Sequence, residues 1–254
     1  MDTILVAGDS YTYGQGCRDR IYFYDEKLGT HIGKYFAYPK DPASEFCWAS
    51  LLQKALPNYK VVNVASPGNS QFGIFKDVVD YVNNNNDNVV LILFNATFFN
   101  RVSVASFGNP DVINPWSPQW YVDPDKEVNA LQPKEYRDAK NAYVKYLLND
   151  TIMRYQSMMS TMGAESFARG KNIKFLWSTP EDDELYSVID YKSLKSIENS
   201  RYTHVCRYDF SGVKNYKYNW EHFHFVDNHV NAAGHEMYFE KELFPLVKRT
   251  LNIA

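Results

Sequence analysis

The chain opens on "ILVAGDSYTYGQG", residues 4–16, a short apolar run that leads into Gly8, Asp9 and Ser10. The run at residues 3–7 predicts a strand that is buried on both faces. A glycine-rich loop directly after a strand lets backbone N–H groups approach a bound group closely. The loop is therefore either an ordinary turn, in which the Ser10 hydroxyl caps the next element, or a site that holds Ser10 for chemistry.

The rest of the chain alternates between strand-like and helix-like patterns. Strands are predicted at 61–64, 89–94 and 173–177, and helices at 46–56, 70–82, 136–168 and 231–251. Such alternation predicts a parallel sheet with helices on both faces. We expect a single three-layer α/β/α domain over residues 1–254 with a flavodoxin-like strand order. Ser70 fits the N-cap of its helix, and Pro245 is expected to bend the last one. The irregular segments at about 98–135 and 178–223 are expected to form cap-like insertions over the strand ends.

The composition argues against several classes of protein. The 254 residues carry a formal net charge of −3 with both signs mixed along the chain, so we expect no nucleic-acid partner. Three widely spaced cysteines predict neither a disulfide framework nor a zinc site, and we expect no cofactor. No apolar run reaches the roughly 20 residues that span a bilayer, so we expect no membrane partner. Since no signal-peptide pattern is seen, we expect a cytoplasmic protein or part of a particle released by lysis, and an oligomer or larger assembly stays open.

Four segments are expected at the carboxyl ends of the strands, where open parallel sheets bind ligands. They are residues 8–10, 66–69, 95–97 and the late stretch "HFVDNHVNAAGH" at 224–235. Together they contain what acyl transfer needs: a serine hydroxyl, a histidine as base, a carboxylate to orient it, and a glycine turn whose N–H can meet an oxyanion.

Three of these segments resemble the ordered blocks of the SGNH, or GDSL-type, esterase and lipase superfamily. "GDSYTYG" at 8–14 resembles its G-D-S-x-T-x-G signature, "NVASPGNS" at 63–70 its N-x-A-x-x-G turn, and "HVNAAGH" at 229–235 its closing H-P-N-x-x-G-H. The resemblance implies that Ser10 is the nucleophile, His229 the base and Asp227 the acid that orients it. It also implies that the N–H groups of Ser10 and Gly68 line the oxyanion hole.

The sequence departs from the family pattern in two places. The family spaces its acid and base as D-x-x-H, whereas Asp227 and His229 are one residue closer, and Glu221 with His224 forms a rival pair at the usual separation. The family also expects G-x-N-D after the third strand, and this chain has "NATFFNR" at 95–101. Either Thr97 or Asn95 would then replace the missing oxyanion donor.

The resemblance implies a serine esterase acting through an acyl-enzyme, with O-deacetylation of a carbohydrate as the favoured reaction. Its partner would be a small-molecule or glycan ester, which Arg101, Trp116 and Trp120 are candidates to bind. His222, His224 and His229 lie close in sequence, but no acidic or cysteine cluster completes a site, so we expect no metal. Two alternatives remain: a non-catalytic binding or structural module on the same fold, and a phosphate- or nucleotide-binding flavodoxin-like protein.

Overall fold

A computed structural model describes residues 1–15, 17, 23–25, 30–32, 42–97, 101–102, 120–121, 138, 142, 145–146, 149–178 and 232–253. Within them lie eight strands: β1 (Asp2–Ala7), β2 (Phe23–Asp25), β3 (Thr30–Ile32), β4 (Tyr59–Asn63), β5 (Asn88–Asn95), β6 (Arg101–Val102), β7 (Trp120–Tyr121) and β8 (Lys174–Ser178). The helices are α1 (Ser10–Tyr13), α2 (Trp48–Ala55), α3 (Gln71–Asn84), α4 (Asp150–Gly170), α5 (Ala232–Tyr238) and α6 (Phe244–Leu251).

Four parallel strands form the main sheet in the order β4-β1-β5-β8. Numbered by their succession in this sheet, the strands stand in the order 2-1-3-4, which is the expected flavodoxin-like order. β1 pairs with β4 on one side and with β5 on the other, so the first strand of the chain lies inside the sheet. The predicted α/β class and parallel sheet are confirmed.

Side chains of the inner strands alternate between two apolar cores, one on each face of the sheet. Ile4 and Val6 of β1 pack on one face with α2, α5 and α6, while Leu5 and Ala7 pack on the other with α3 and α4. Successive side chains of a strand point to opposite faces, so both halves of an uninterrupted apolar run are buried. The helices therefore cover both faces, as a three-layer domain requires.

Two predicted helices differ from their sequence pattern. Residues 136–168 were expected to form one helix, but Asn149 is extended (φ −144°) and its side chain caps a new helix at Ile152 N–H, so α4 begins at Asp150. The single-helix prediction is wrong because the capping bond from Asn149 competes with continuation of the helix.

The last helix also departs from a regular α-helix. A π-helical turn, Phe239–Leu243, separates α5 from α6, and Pro245 is the second residue of α6. Proline has no N–H to donate to the preceding turn, and a wider turn accommodates that lost bond. The π-helical turn is the departure from a regular α-helix that the structure shows here, and the bend expected at Pro245 stays a prediction.

Two short antiparallel ribbons lie outside the main sheet. β2 pairs with β3, and β6 pairs with β7 through Arg101 opposite Tyr121 and Val102 opposite Trp120. Most of the predicted cap-like insertions at 98–135 and 178–223 lies outside the described residues, so their role as a cap stays a prediction. Among the helices of the described residues, none is both long and apolar enough to cross a membrane.

Candidate active site

The loop at residues 8–10 joins β1 directly to the one-turn helix α1. Asp9 caps this helix, since its Oδ1 accepts a hydrogen bond from the Tyr11 N–H at 3.0 Å. Ser10 is the first helical residue, and only 2 % of it is exposed. A side chain at Gly8 would not fit, because a Cβ there would lie 2.2 Å from Thr12 Oγ1. The loop therefore holds Ser10 at the carboxyl end of an inner strand of the sheet.

The turn at residues 66–69 lies beside this loop. The Asn69 N–H donates to the Ser66 carbonyl at 3.1 Å, and Gly68 has a left-handed φ of 73°, the arrangement of a type II turn after Pro67. The Ser66 N–H donates to the Gly8 carbonyl at 3.2 Å, which fixes the turn against the serine loop. The Gly68 N–H has no hydrogen-bond partner among the described residues. This φ favours glycine, so the turn requires a glycine at position 68.

Asn63, the first residue of the sequence block "NVASPGNS", is hydrogen-bonded both to α1 and to the start of the turn. Its Nδ2 donates to the Thr12 carbonyl at 3.0 Å, and its Oδ1 accepts from the Ala65 N–H at 3.0 Å. One carboxamide thus ties the end of β4 to helix α1 and shapes the start of the turn. Its role in the described structure is to hold the two blocks together.

Thr97 and Asn95, the two candidates to replace the oxyanion donor that the family has after its third strand, are both hydrogen-bonded to residues of the serine loop and α1. Thr97 Oγ1 donates to Asp9 Oδ2 at 2.7 Å. Asn95 Nδ2 donates to Thr12 Oγ1 at 2.6 Å, and Asn95 Oδ1 accepts from Ser178 Oγ at 2.7 Å. The structure therefore brings both side chains to the serine loop. The Thr97 hydroxyl proton and one Asn95 N–H are committed there to groups of the protein.

Gln71 completes this buried polar network, and the sequence patterns did not single it out. Its Oε1 accepts from the Thr97 N–H at 2.8 Å, and its Nε2 donates to Thr161 Oγ1 at 2.6 Å. A carboxamide is suited to this position because it supplies one acceptor and one donor at once. Thr12 is a second residue of the network that the sequence analysis did not single out. It could have been found from the sequence, because it occupies the threonine of the G-D-S-x-T-x-G signature.

Asp77, which is bonded to Asn69 of the turn, is a carboxyl group with a raised pKa. Burial raises its pKa from 3.8 to about 6, the Asn69 hydrogen bond and the charge of Lys76 lower it, and the charge of Asp80 raises it. Among the described residues, no group of three His, Cys, Asp or Glu side chains is arranged to hold a metal ion.

Several predicted site residues cannot be placed. Those that lie outside the described residues are Asp227, His229, Glu221, His224, His222 and Trp116. For Arg101 and Trp120 the structure describes the backbone of the β6–β7 ribbon and not the side chains. The roles of all these residues stay predictions.

His235, the last residue of the third sequence block, lies in α5 and is completely buried. Its Nδ1 accepts a hydrogen bond from the Trp48 N–H at 3.3 Å, which joins α5 to the start of α2. This contact agrees with the structural role that its place in the last helix suggests.

Comparison with known proteins finds likeness in structure only. No protein-family model matches the sequence, and no curated protein matches it. The acetyl xylan esterase Est2A from the rumen bacterium Butyrivibrio proteoclasticus is 15 % identical with a TM-score of 0.51, over 99 % of this chain and 64 % of that one. The esterase EstA from Pseudoalteromonas sp. is 14 % identical with a TM-score of 0.47, over 98 % of both chains. A G-D-S-L family lipolytic protein from Veillonella parvula is 11 % identical with a TM-score of 0.45, over 98 % of this chain and 100 % of that one.

The class of fold follows from the sheet order and from the sequence blocks at its carboxyl edge. The chain shares its α/β fold with the acetyl xylan esterase Est2A, and this fold agrees with the resemblance to the SGNH, or GDSL-type, hydrolases drawn from its sequence. Likeness at these identities concerns the fold, and activity has to be argued from the site.

Proposed function

We propose that this protein is a serine ester hydrolase whose nucleophile is Ser10. The observation that carries the proposal is the pairing of two loops at one edge of the sheet. Ser10 ends the loop after β1, and the Gly68 turn is bonded to Gly8 of that loop at 3.2 Å. Acyl transfer needs a serine hydroxyl from one of these loops and, from the other, an N–H group such as that of Gly68, which has no partner among the described residues.

In the proposed reaction, Ser10 Oγ attacks the ester carbonyl while His229 accepts the hydroxyl proton and Asp227 orients the imidazole. The ester C–O bond breaks, the alcohol leaves with the proton from His229, and the acyl group stays on Ser10. A water molecule, deprotonated by His229, then attacks the acyl-enzyme, so that the acid departs and Ser10 regains its proton. The N–H groups of Ser10 and Gly68 stabilise the oxyanion of both steps.

The proposed substrate class is an acetylated carbohydrate. Support comes from the absence of a lipase-like apolar lid run in the sequence, which suits a small acyl group on a polar alcohol. The Butyrivibrio neighbour in fold is named as an acetyl xylan esterase. Arg101, Trp116 and Trp120 are the residues proposed to contact the sugar, since aromatic faces and a guanidinium suit its apolar and polar sides.

A second candidate function, a non-catalytic binding module on the same fold, is favoured by one observation. Thr97 and Asn95, the side chains available to replace the third oxyanion donor, donate to Asp9 and Thr12. Loss of one oxyanion donor lowers the rate of such enzymes by about a hundredfold or more. A protein that keeps the fold for binding alone has no need of that donor.

The test is hydrolysis of p-nitrophenyl acetate by the wild type and by Ser10→Ala. We expect Ser10→Ala to lose at least about a thousandfold in kcat, because the nucleophile is removed. Ser157→Ala is the matched control: Ser157 is also a buried serine, 3 % exposed, and its Oγ has no partner among the described residues. Circular dichroism confirms that each variant folds. Equal rates in all three folded proteins would reject the esterase and favour the binding module.

Two further measurements test the identity of the catalytic acid and the substrate class. Asp227→Asn beside Glu221→Gln identifies the acid, since the catalytic one is expected to cost about 10⁴-fold in kcat and the other little. Acetate release from acetylated xylan, compared with hydrolysis of p-nitrophenyl octanoate, tests the substrate class. Preference for the long acyl chain would reject deacetylation while leaving the serine mechanism in place.

A further inference from the structure

Asn69 links the turn that carries Gly68 to the helix that follows it. It is buried, with 3 % exposed, and its Nδ2 donates to Asp77 Oδ2 at 2.7 Å. Asn69 is the last residue of the turn, and Asp77 lies two helical turns into α3. The bond therefore anchors the flank of the turn to a rigid element of the fold.

Gly73 supplies the space in which the Asn69 carboxamide lies. A Cβ at Gly73 would stand 2.0 Å from Asn69 Oδ1 and 3.1 Å from its Cγ, so a side chain there would displace the carboxamide. Gly73 and Asp77 are four residues apart on α3 and share one face of the helix. The carboxamide oxygen therefore lies next to Gly73, and its nitrogen donates to the Asp77 carboxylate.

The surroundings of Asp77 leave Asn69 as its main polar partner among the described residues. Lys76 and Asp80 are the charged groups that act on it, and both belong to α3. The sheet and α4 pack against α3 through apolar side chains, which include Leu5, Ala7, Ala164 and Ala168. β6 also contacts α3 and contains Arg101, whose side chain is not among those described.

We propose that Asp77 is a positioning residue of the esterase site, which acts through Asn69 to hold the Gly68 N–H where the substrate oxyanion forms. The inference rests on the proposed function and adds a residue that no sequence block contains. An oxyanion donor helps only when it is fixed before the reaction, and a displacement of about 1 Å can cost on the order of a hundredfold in rate. The carboxylate of Asp77 fixes the turn because a charge-assisted hydrogen bond is the stronger kind.

The test compares Asp77→Leu, Asp77→Asn and the control Asp80→Leu in p-nitrophenyl acetate hydrolysis. Asp77→Leu removes the acceptor, and we expect kcat to fall by about tenfold or more with KM little changed. Asp77→Asn keeps an acceptor oxygen, so it should lose less activity than Asp77→Leu, about threefold above pH 7. Asp80 is exposed on the same helix and paired with Lys76, and its replacement should leave kcat unchanged.

The pH profile separates positioning from general stability. Because the pKa of Asp77 lies at about 6, wild type and Asp77→Asn should have equal kcat near pH 5. Above pH 7 the wild type should be about threefold faster, as only it then has a carboxylate acceptor. A merely structural role would give a ratio that does not change with pH.

Gly73→Ala disturbs the Asn69–Asp77 contact by displacing Asn69, and it provides the test if Asp77→Leu fails to fold. It is a helix-favouring substitution, so a fall in kcat in a folded protein reports displacement of Asn69. Wild-type kcat in both Gly73→Ala and the Asp77 variants, with Ser10→Ala inactive, would overturn this inference and leave the esterase standing. A wild type no faster than Ser10→Ala would overturn the proposed function, and this inference with it.

Discussion

Asp9 illustrates how one buried carboxylate organises the serine loop. Its two oxygens accept from the Tyr11 N–H and from Thr97 Oγ1, and neither Asp9 nor Thr97 is exposed. The identity of its second donor was not predictable, because Thr97 lies 88 residues away in the chain.

Removing the Thr97 hydroxyl should destabilise the protein. Thr97→Val keeps the shape of the side chain but leaves Asp9 Oδ2 without this donor, and we expect the free energy of unfolding to fall by about 2 kcal/mol at pH 7. Thr97→Ser keeps the hydroxyl and is the control. Urea denaturation followed by circular dichroism gives both values, and equal stabilities would show that the bond to Asp9 contributes nothing.

At the scale of elements, helix ends were harder to predict than helices. α3 begins as its sequence predicts, with Ser70 Oγ accepting from the Gly73 N–H at 3.0 Å. The apolar spacing of residues 136–168 hid the boundary at Asn149, since the periodicity continues across it. The signal was nevertheless present, because asparagine followed by aspartate is a common start of a helix.

The cap at Asn149 should contribute measurably to α4. Asn149→Ala removes the acceptor that binds the Ile152 N–H at 2.9 Å, and we expect a loss of about 1 kcal/mol in the free energy of unfolding. Asn149→Asp retains a capping oxygen and should be close to the wild type. If the alanine variant were as stable as the aspartate variant, the break in the helix would have to be held by tertiary contacts alone.

At the scale of the whole molecule, the raised pKa of Asp77 makes stability depend on pH. A carboxyl group whose pKa rises from 3.8 to about 6 on folding binds its proton more tightly in the folded protein. The stability it contributes is fully present below pH 4 and is lost as the pH rises through 6. Other carboxylates titrate in the same range, so only a comparison between variants isolates this group.

Asp77→Asn should remove that dependence. The free energy of unfolding of the variant, relative to the wild type, should increase between pH 4 and pH 7 by up to about 3 kcal/mol. Asp80→Asn, an exposed carboxylate on the same helix, is the control. Urea midpoints measured at pH 4, 5, 6 and 7 give the comparison, and a difference that stays constant with pH would contradict the burial of a titrating Asp77.

The sequence by itself determined the class of the fold and the edge of the sheet at which the candidate site is expected. Apolar runs such as residues 89–94 are local patterns, and local patterns are enough to predict buried parallel strands and the loops that follow them. The blocks around Ser10 and Gly68 were recognisable for the same reason, since each is contiguous in the chain. Their places in the structure agree with those patterns.

Only the tertiary structure decided which polar side chains meet. Gln71 bonds to Thr97 and Thr161, which are 26 and 90 residues away, and Asn69 reaches Asp77 only because Gly73 leaves room between them. The contacts of Gln71 form only when α3, α4 and the end of β5 pack together. A buried donor or acceptor then bonds to the polar group that this packing brings within about 3 Å. No periodicity or motif in the sequence indicates which polar side chains will be hydrogen-bonded to each other.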